Sequence, residues 1–160
     1  MLATPTKFTL VSGSGEGKTS LNAFDRALLL SGLGNLNLIK VSSILPPGTQ
    51  YQEKIEIPFG SLVPTAYGSL TSTKPGVTIA AAVAVGIPAT DTFGVIMETS
   101  DYCSKLEIEK RITEMVIEAF TIRNMDYQEI KVCAVEHKVI DCGAVFAGLA
   151  LWNIEYIKNH

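Results

Sequence analysis

Residues 60–98 read GSLVPTAYGSLTSTKPGVTIAAAVAVGIPATDTFGVIME. Three runs of β-branched and small apolar residues, at 60–72, 77–87 and 93–98, are separated by Lys74-Pro75-Gly76 and by the turn around Pro88 to Asp91. Breakers of this kind between apolar runs predict strands joined by short reversals, hence a large and partly antiparallel sheet. The middle run, Ile79 to Val85, is the longest uninterrupted apolar segment, and it is far short of the ~20 residues a membrane helix needs.

On the N-terminal side, residues 7–12 (KFTLVS) read as a short strand, and Gly13 to Gly17 (GSGEG) as a flexible turn. That turn leads into Thr19 or Ser20 as the N-cap of a helix that runs to about Leu30. Leu21, Phe24, Asp25 and Leu28 fall at i, i+3, i+4 and i+7, which places Asp25 on the apolar stripe. Gly32 and Gly34 end the helix, Asn35 to Ser43 alternates as a strand, and Pro46-Pro47 stops it before an exposed loop at 48–57. On the C-terminal side, Ser104-Lys105-Leu106-Glu107 is a capping box. It opens a helix from about 104 to 123 with Leu106, Ile112, Met115, Val116, Ala119 and Phe120 as its apolar face. Strands near 129–138 and 143–153 follow. The expected fold is α+β, an antiparallel-rich β-sheet sandwich flanked by helices in an αββα-like arrangement, rather than a βαβ repeat.

The chain has 160 residues, 47% of them apolar and 18% charged, and no repeat or composition shift divides it. A single domain spanning 1–160 is expected, burying roughly 68–70% of its unfolded surface. Thirteen Lys plus Arg against sixteen Asp plus Glu give a net charge of −3, so no footprint for nucleic acid or an anionic membrane is present. The opening MLATPTK lacks a basic region followed by an apolar one, and a cytoplasmic protein is expected. Cys103, Cys133 and Cys142 have no C-x-x-C spacing, and only His137 and His160 could join them. Reduced thiols, with neither a disulfide framework nor a metal site, are expected. So few charges on so apolar a chain also point to surface hidden at a subunit interface.

Three segments carry candidate chemistry. Ser12 to Thr19 (SGSGEGKT) nearly matches the P-loop pattern, but Ser12 stands where the pattern needs Gly. A glycine-rich turn into a capped helix explains it as well, and nucleotide binding stays as an alternative function. Ser42-Ser43 closes a strand before Ile44-Leu45-Pro46-Pro47, which by itself is ordinary turn chemistry. Glu98 follows the apolar run Phe93 to Met97 and falls either at the end of a buried strand, where burial would raise its pKa, or in a surface turn.

Those segments gain meaning from the set GEGKTSLNAFDRALLLSGLGNLNLIKVSSILPP, GSLVPTAYG, GVIME, AVEH and the alanine-rich strand ending in ALW. Over residues 9–152 it resembles the pyruvoyl-dependent arginine decarboxylases, and the combination LNAFD, GNxNL, SSIxPP, LVPTAYG and IME is specific. The resemblance implies that the chain cleaves itself between Ser42 and Ser43, into 1–42 and 43–160. The Ser43 hydroxyl attacks the Ser42 carbonyl, an ester forms, and elimination leaves a dehydroalanine that hydrolyses to a pyruvoyl cofactor at residue 43. That ketone then takes the place of pyridoxal phosphate in forming a Schiff base with the substrate amine. The sequence itself shows an ordinary serine at 43 in an unbroken chain.

By the same resemblance Glu98 is the proton donor, Asp25 holds the guanidinium of L-arginine, and Asn37 serves processing and the site. Gly34, Leu36, Ser42 and Ile44 shape the pocket. Read from the residues alone, Asp25 could equally pair with an internal cation, and Asn37 could be a strand-edge Asn. Asn37 and Ser43, six residues apart on one strand, would be roughly 20 Å apart if extended. Either the chain bends sharply or a second subunit supplies one of them, and the family forms trimers with sites at the subunit interfaces. The expectation is a self-processing enzyme that converts L-arginine to agmatine and carbon dioxide as a homotrimer or a hexamer of paired trimers. A non-enzymatic trimer that keeps the fold but is never cleaved is a further alternative.

Overall fold

The computed structural model describes residues 3–153. In chain order the elements are β1 (Lys7–Glu16), α1 (Ser20–Ser31), β2 (Asn37–Lys40), β3 (Ile44–Leu45), β4 (Gln50–Tyr51) and β5 (Leu62–Ser72). Then come β6 (Thr78–Pro88), β7 (Gly94–Asp101), α2 (Lys105–Ile122), β8 (Tyr127–Lys138) and β9 (Gly143–Trp152). One sheet has the order β2-β5-β9-β1-β4 and the other the order β3-β7-β6-β8. Only β1 with β4 and β2 with β5 pair in parallel; the remaining pairs are antiparallel.

Three apolar clusters hold four layers together. Phe8, Ile79, Val83, Ile96, Val145 and Leu149 fill the space between the sheets. Ala23, Ala27, Val63 and Phe146 lie between α1 and the five-stranded sheet. Ile108, Ile112, Val116 and Phe120 seat α2 on Ala80, Ala82 and Ala84 of the four-stranded sheet. This is the αββα sandwich in one compact domain. The small residues of 79–85 explain how it closes: both faces of β6 are buried, so its alternate side chains must serve two cores at once.

The strands at 62–72, 78–88 and 94–101 follow the sequence expectation closely, and so do the capping box at Ser104 and the helix behind it. Several local expectations are corrected. Gly13 to Glu16 is not a turn but the second half of β1, paired residue for residue with β9 from Gly13↔Phe146 to Glu16↔Gly143. The near-match at Ser12–Thr19 is therefore an extended ladder leading to a cap, not a compact loop wrapped around a phosphate. A Cβ on Gly13 would run into the Ala27 carbonyl oxygen and come within 2.7 Å of the Ser31 nitrogen. The glycines let α1 lie directly on the strand.

That close approach also decides which face of α1 is buried. Ala23, Ala27 and Ser31 are the buried residues of the helix, whereas Leu21 is 75% exposed and Asp25 is exposed. Asp25 is thus not on a buried apolar stripe, because bare glycines accept an alanine face in preference to a leucine one. Leu106, expected on the inner face of α2, is 77% exposed, and Ile108 takes its place in the core. The segment 48–57 is not all loop, since Gln50–Tyr51 pairs with Lys7 and Phe8. Finally, 35–43 is not one strand: β2 ends at Lys40, and the chain crosses to the other sheet before Ile44.

Gly13→Ala is expected to cost about 1–3 kcal/mol, because the added methyl must push helix and strand apart. Thermal unfolding of the variant should show Tm lowered by roughly 2–10 °C; an unchanged Tm would mean that α1 does not rest on β1 as described.

Candidate active site

The crossing from β2 to β3 places the serine pair. Val41 N–H still bonds to Thr65 on β5 (3.2 Å), and the Ser43 carbonyl accepts from Ile96 N–H on β7 (2.8 Å). Three residues therefore span the gap between sheets. Within that span the Ser42 carbonyl accepts from Ile44 N–H (3.1 Å), the i to i+2 closure of a γ-turn centred on Ser43. Ser42 is exposed and Ser43 half-buried. Val41, Ser42, Ile44, Leu62, Pro64 and Trp152 line a cavity of about 590 Å³ beside them.

Ile96 also locates Glu98. Val95 and Met97 point into the α2 cluster and Ile96 into the space between the sheets, so strand alternation turns Glu98 between the sheets as well. Its Oε2 is buried and has no hydrogen-bond partner. Burial pushes its carboxyl above the ordinary glutamate range, against the opposing pull of the Lys40 ammonium. Burial of an unbonded oxygen shifts a carboxyl toward its protonated form, the direction a proton donor requires.

Ser42, Ser43 and Ile44 thus lie against β7 at Ile96, two residues from Glu98 along that strand. Asp25 is elsewhere: with Glu16, Lys18, Asn22, Arg26 and Asp141 it lines a second cleft of about 620 Å³. Among the described residues Asp25 forms no ion pair, so the internal salt bridge is absent. The floor of this cleft is fixed by Glu16, which accepts from Ile140 N–H (2.7 Å) and Asp141 N–H (2.8 Å) and meets His137 Nε2 at 3.2 Å. Burial opposes its charge, yet these donors outweigh it and hold the carboxyl below the usual range.

Asn37 opens β2, and its amide donates to the Gly60 carbonyl (2.8 Å). Gly34 packs against Leu29 at the end of α1, and Leu36 borders the α1 cluster. None of these three residues lines the cleft that holds Asp25 or the cavity beside Ser42. Two residues at the serine end were not legible beforehand. Lys40 is one of thirteen cations in the sequence, marked only by standing three residues before Ser43. Trp152, whose Nε1 is buried without a partner, is marked only by closing the alanine-rich strand. Among the described residues no group of three or more His, Cys, Asp or Glu side chains converges as a metal site would require, and no helix is long and apolar enough to cross a membrane.

Known proteins are similar to this chain over most of its length. The family model for pyruvoyl-dependent arginine decarboxylase matches residues 7–155. A pyruvoyl-dependent arginine decarboxylase of Methanocaldococcus jannaschii is 48% identical over 149 residues, 92% of this chain and 90% of that protein. Proteins of the same description from Thermococcus kodakarensis and Pyrococcus abyssi are 43% and 42% identical, each over 86% of this chain; the matches cover 88% and 89% of those proteins. The αββα sandwich with its serine turn and buried carboxyl is accordingly a carboxy-lyase that works through a covalently bound pyruvoyl group. The chain belongs to the pyruvoyl-dependent arginine decarboxylase family.

The raised Glu98 pKa has a consequence for stability. A carboxyl whose folded-state pKa lies above its unfolded value contributes fully at low pH, and that contribution is lost as pH rises through the folded pKa. Glu98→Gln removes the loss. The Tm of the variant relative to the parent should therefore climb as pH rises from about 4.5, the ordinary value, and level off above the folded pKa. A difference that does not vary with pH would show that burial does not raise the Glu98 pKa.

Proposed function

We propose that this chain cuts itself between Ser42 and Ser43 and then decarboxylates L-arginine to agmatine. The observation that carries the reading is the Ser43 carbonyl tied to Ile96, two residues before the buried, unbonded carboxyl oxygen of Glu98. In the first step the Ser43 hydroxyl adds to the Ser42 carbonyl carbon. Ile44 N–H, already on the Ser42 oxygen, supports the negative charge that develops there. The C–N bond then breaks and Ser42 is linked to Ser43 through an ester. Loss of the α-proton of residue 43 expels the Ser42 carboxylate and leaves dehydroalanine, which water hydrolyses with release of ammonia. The pyruvoyl group so formed supplies a ketone for the substrate amine and a sink for the electrons left when carbon dioxide departs.

Glu98 then donates a proton to the carbon that lost carbon dioxide, a role suited to a carboxyl whose pKa is raised by burial. Ser43 is already tethered to the strand that carries Glu98, so donor and acceptor are held together. Asp25 takes the guanidinium in two parallel hydrogen bonds. Because Asp25 and the serine turn belong to separate clefts of one chain, we assign the complete site to a homotrimer in which α1 of one copy faces the serine turn of the next. The exposed apolar side chains support this assembly. Leu21, Leu30, Phe59 and Leu62 are 64–85% exposed, and Ile44 beside Ser43 is 42% exposed; such surface favours cover by another copy.

Mass spectrometry of the purified protein tests the first step: fragments 1–42 and 43–160 are expected, the larger one blocked to Edman degradation. An intact chain that releases no carbon dioxide from arginine would instead indicate an uncleaved trimer. Ser43→Ala should stay as one chain and be inactive, since alanine has no hydroxyl to attack or to eliminate; two bands on a denaturing gel would refute the mechanism. Asp25→Asn should be cleaved normally, because processing involves no substrate. Its kcat/KM for arginine should fall on the order of 10- to 100-fold, mostly through KM, as expected for loss of a charge-assisted pair. Unaltered steady-state kinetics would place the guanidinium anchor elsewhere.

A further inference from the structure

We propose that the Ile96 N–H is a catalytic donor in self-processing, the group that stabilises residue 43 when it loses its α-proton. This rests on the reading that the chain cuts itself between Ser42 and Ser43. Two backbone donors flank Ser43, and each holds a different carbonyl. Ile44 N–H bonds to the Ser42 oxygen (3.1 Å), and Ile96 N–H bonds to the Ser43 oxygen (2.8 Å). The Ser42 oxygen becomes negative when the serine hydroxyl attacks, and the Ile44 donor answers that charge. The Ser43 oxygen takes no part until the ester has formed. Breaking the α-C–H bond then leaves an electron pair on the α-carbon, and the adjacent carbonyl draws it onto that oxygen. The proton passes to water, the pair returns to make the carbon–carbon double bond, and the Cβ–O bond breaks to release Ser42 as a carboxylate. An α-proton beside a peptide carbonyl is only weakly acidic, so a donor already seated on the oxygen that takes the charge lowers this barrier.

Such a role demands a fixed direction and little water, and the Ile96 donor has both. Directly after Ser43, Ile44 and Leu45 of β3 pair with Val95 and Gly94 of β7, which fixes the acceptor against the donor strand. On its other edge β7 is laddered to β6 from Ala80↔Asp101 to Gly86↔Val95, so the donor cannot swing. The Ile96 side chain is fully buried in the cluster between the sheets, with Phe8, Ile79 and Leu149. A preorganised N–H in so apolar a place needs no rearrangement when the charge appears, and it acts there more strongly than in water. Maturation leaves the residue-43 carbonyl and its link to Ile44 intact, since only the nitrogen, the α-carbon and the β-carbon of that residue change. The carbonyl ends beside the ketone of the pyruvoyl group. There the same N–H draws electrons away from the ketone and favours addition of an amine.

The test exchanges Ile96 for its α-hydroxy acid in the full-length chain, by readthrough of a nonsense codon, which replaces the N–H with an oxygen and keeps the side chain. The same exchange at Met97 is the control. Alternation turns the Met97 N–H toward β6, where Met97 pairs with Ala84, so a ladder bond is lost without touching Ser43. Newly made chains are followed by denaturing gel and Edman degradation. The ester intermediate is one unbroken band with a free amine at residue 43, hence a second sequence that starts Ser43-Ile44-Leu45, whereas mature 43–160 is blocked. With the exchange at Ile96 this intermediate should accumulate, and blocked 43–160 should form on the order of 10²-fold more slowly than in the parent. The exchange at Met97 should mature at the parental rate. Parental maturation with the exchange at Ile96, or equal slowing at both positions, overturns the proposal. So does slow cutting without the second sequence, because the bond would then serve only the turn. A parent that stays whole withdraws the reading of Ser42-Ser43 itself, which is a separate outcome. If the exchange at Ile96 prevents folding, the mature parent decides. Ser43-Ile44 is the only Ser-Ile step in the chain, so carbonyl-labelled serine with nitrogen-labelled isoleucine shows the residue-43 carbonyl alone by NMR. Its carbon should lie downfield of its position in the urea-unfolded chain; an equal or upfield position overturns the proposal.

Discussion

A single backbone hydrogen bond, from Ile96 N–H to the Ser43 carbonyl, fastens the segment between the two sheets to the strand that bears the buried acid. Residues 41–43 leave the edge of one sheet at Thr65 and reach the edge of the other at Val95. A span that short has little freedom, and it closes as a γ-turn in which the Ser42 carbonyl is already bonded to the Ile44 N–H. Attack by a neighbouring hydroxyl on a peptide carbonyl needs a backbone held away from regular strand geometry. The crossover provides such a place, and β7 fixes it relative to Glu98.

The same geometry sets the electrostatics. Glu98 is turned between the sheets by the alternation of β7, and most of its neighbours there are apolar. Burial raises the pKa of a carboxyl in that position, and the Lys40 ammonium pulls the other way. The other carboxylate with a structural task, Glu16, has the opposite environment. Two backbone N–H groups and an imidazole nitrogen surround it, so it is kept charged and braces the turn between β8 and β9. One fold thus holds one glutamate whose pKa is raised and another whose pKa is lowered.

The sandwich itself depends on residues with little or no side chain. Alanines of β6 let one strand face two cores, and Gly13 lets α1 rest on β1 without a layer of side chains between. The consequence on the outside is a helix that presents Leu21, Leu30 and Asp25 to solvent. An apolar surface beside a carboxylate is what an assembly that completes its site from a neighbouring copy would require.

The chain alone specified the elements wherever the signal is local. The Lys74-Pro75-Gly76 breaker, the Ser104 to Glu107 capping box and the apolar runs of 60–98 gave strands and helix close to their observed limits, because caps and turns act over three or four residues. The strand position of Glu98 was legible too, from the apolar run at 93–97 that precedes it. The facing of α1 was not legible: periodicity counts leucines, but which stripe is buried was decided by the glycines of β1, which precede the helix in the chain and touch it only in the folded sandwich. Nor could the sequence show that Gly13 to Glu16 is strand, since glycine-rich segments are extended only when a partner such as β9 supplies the ladder. The break of 35–43 into two strands of different sheets, and with it the bond between Ser43 and Ile96, came from packing alone. Those features rest on contacts between residues far apart in the chain, and only the closed sandwich brings them together.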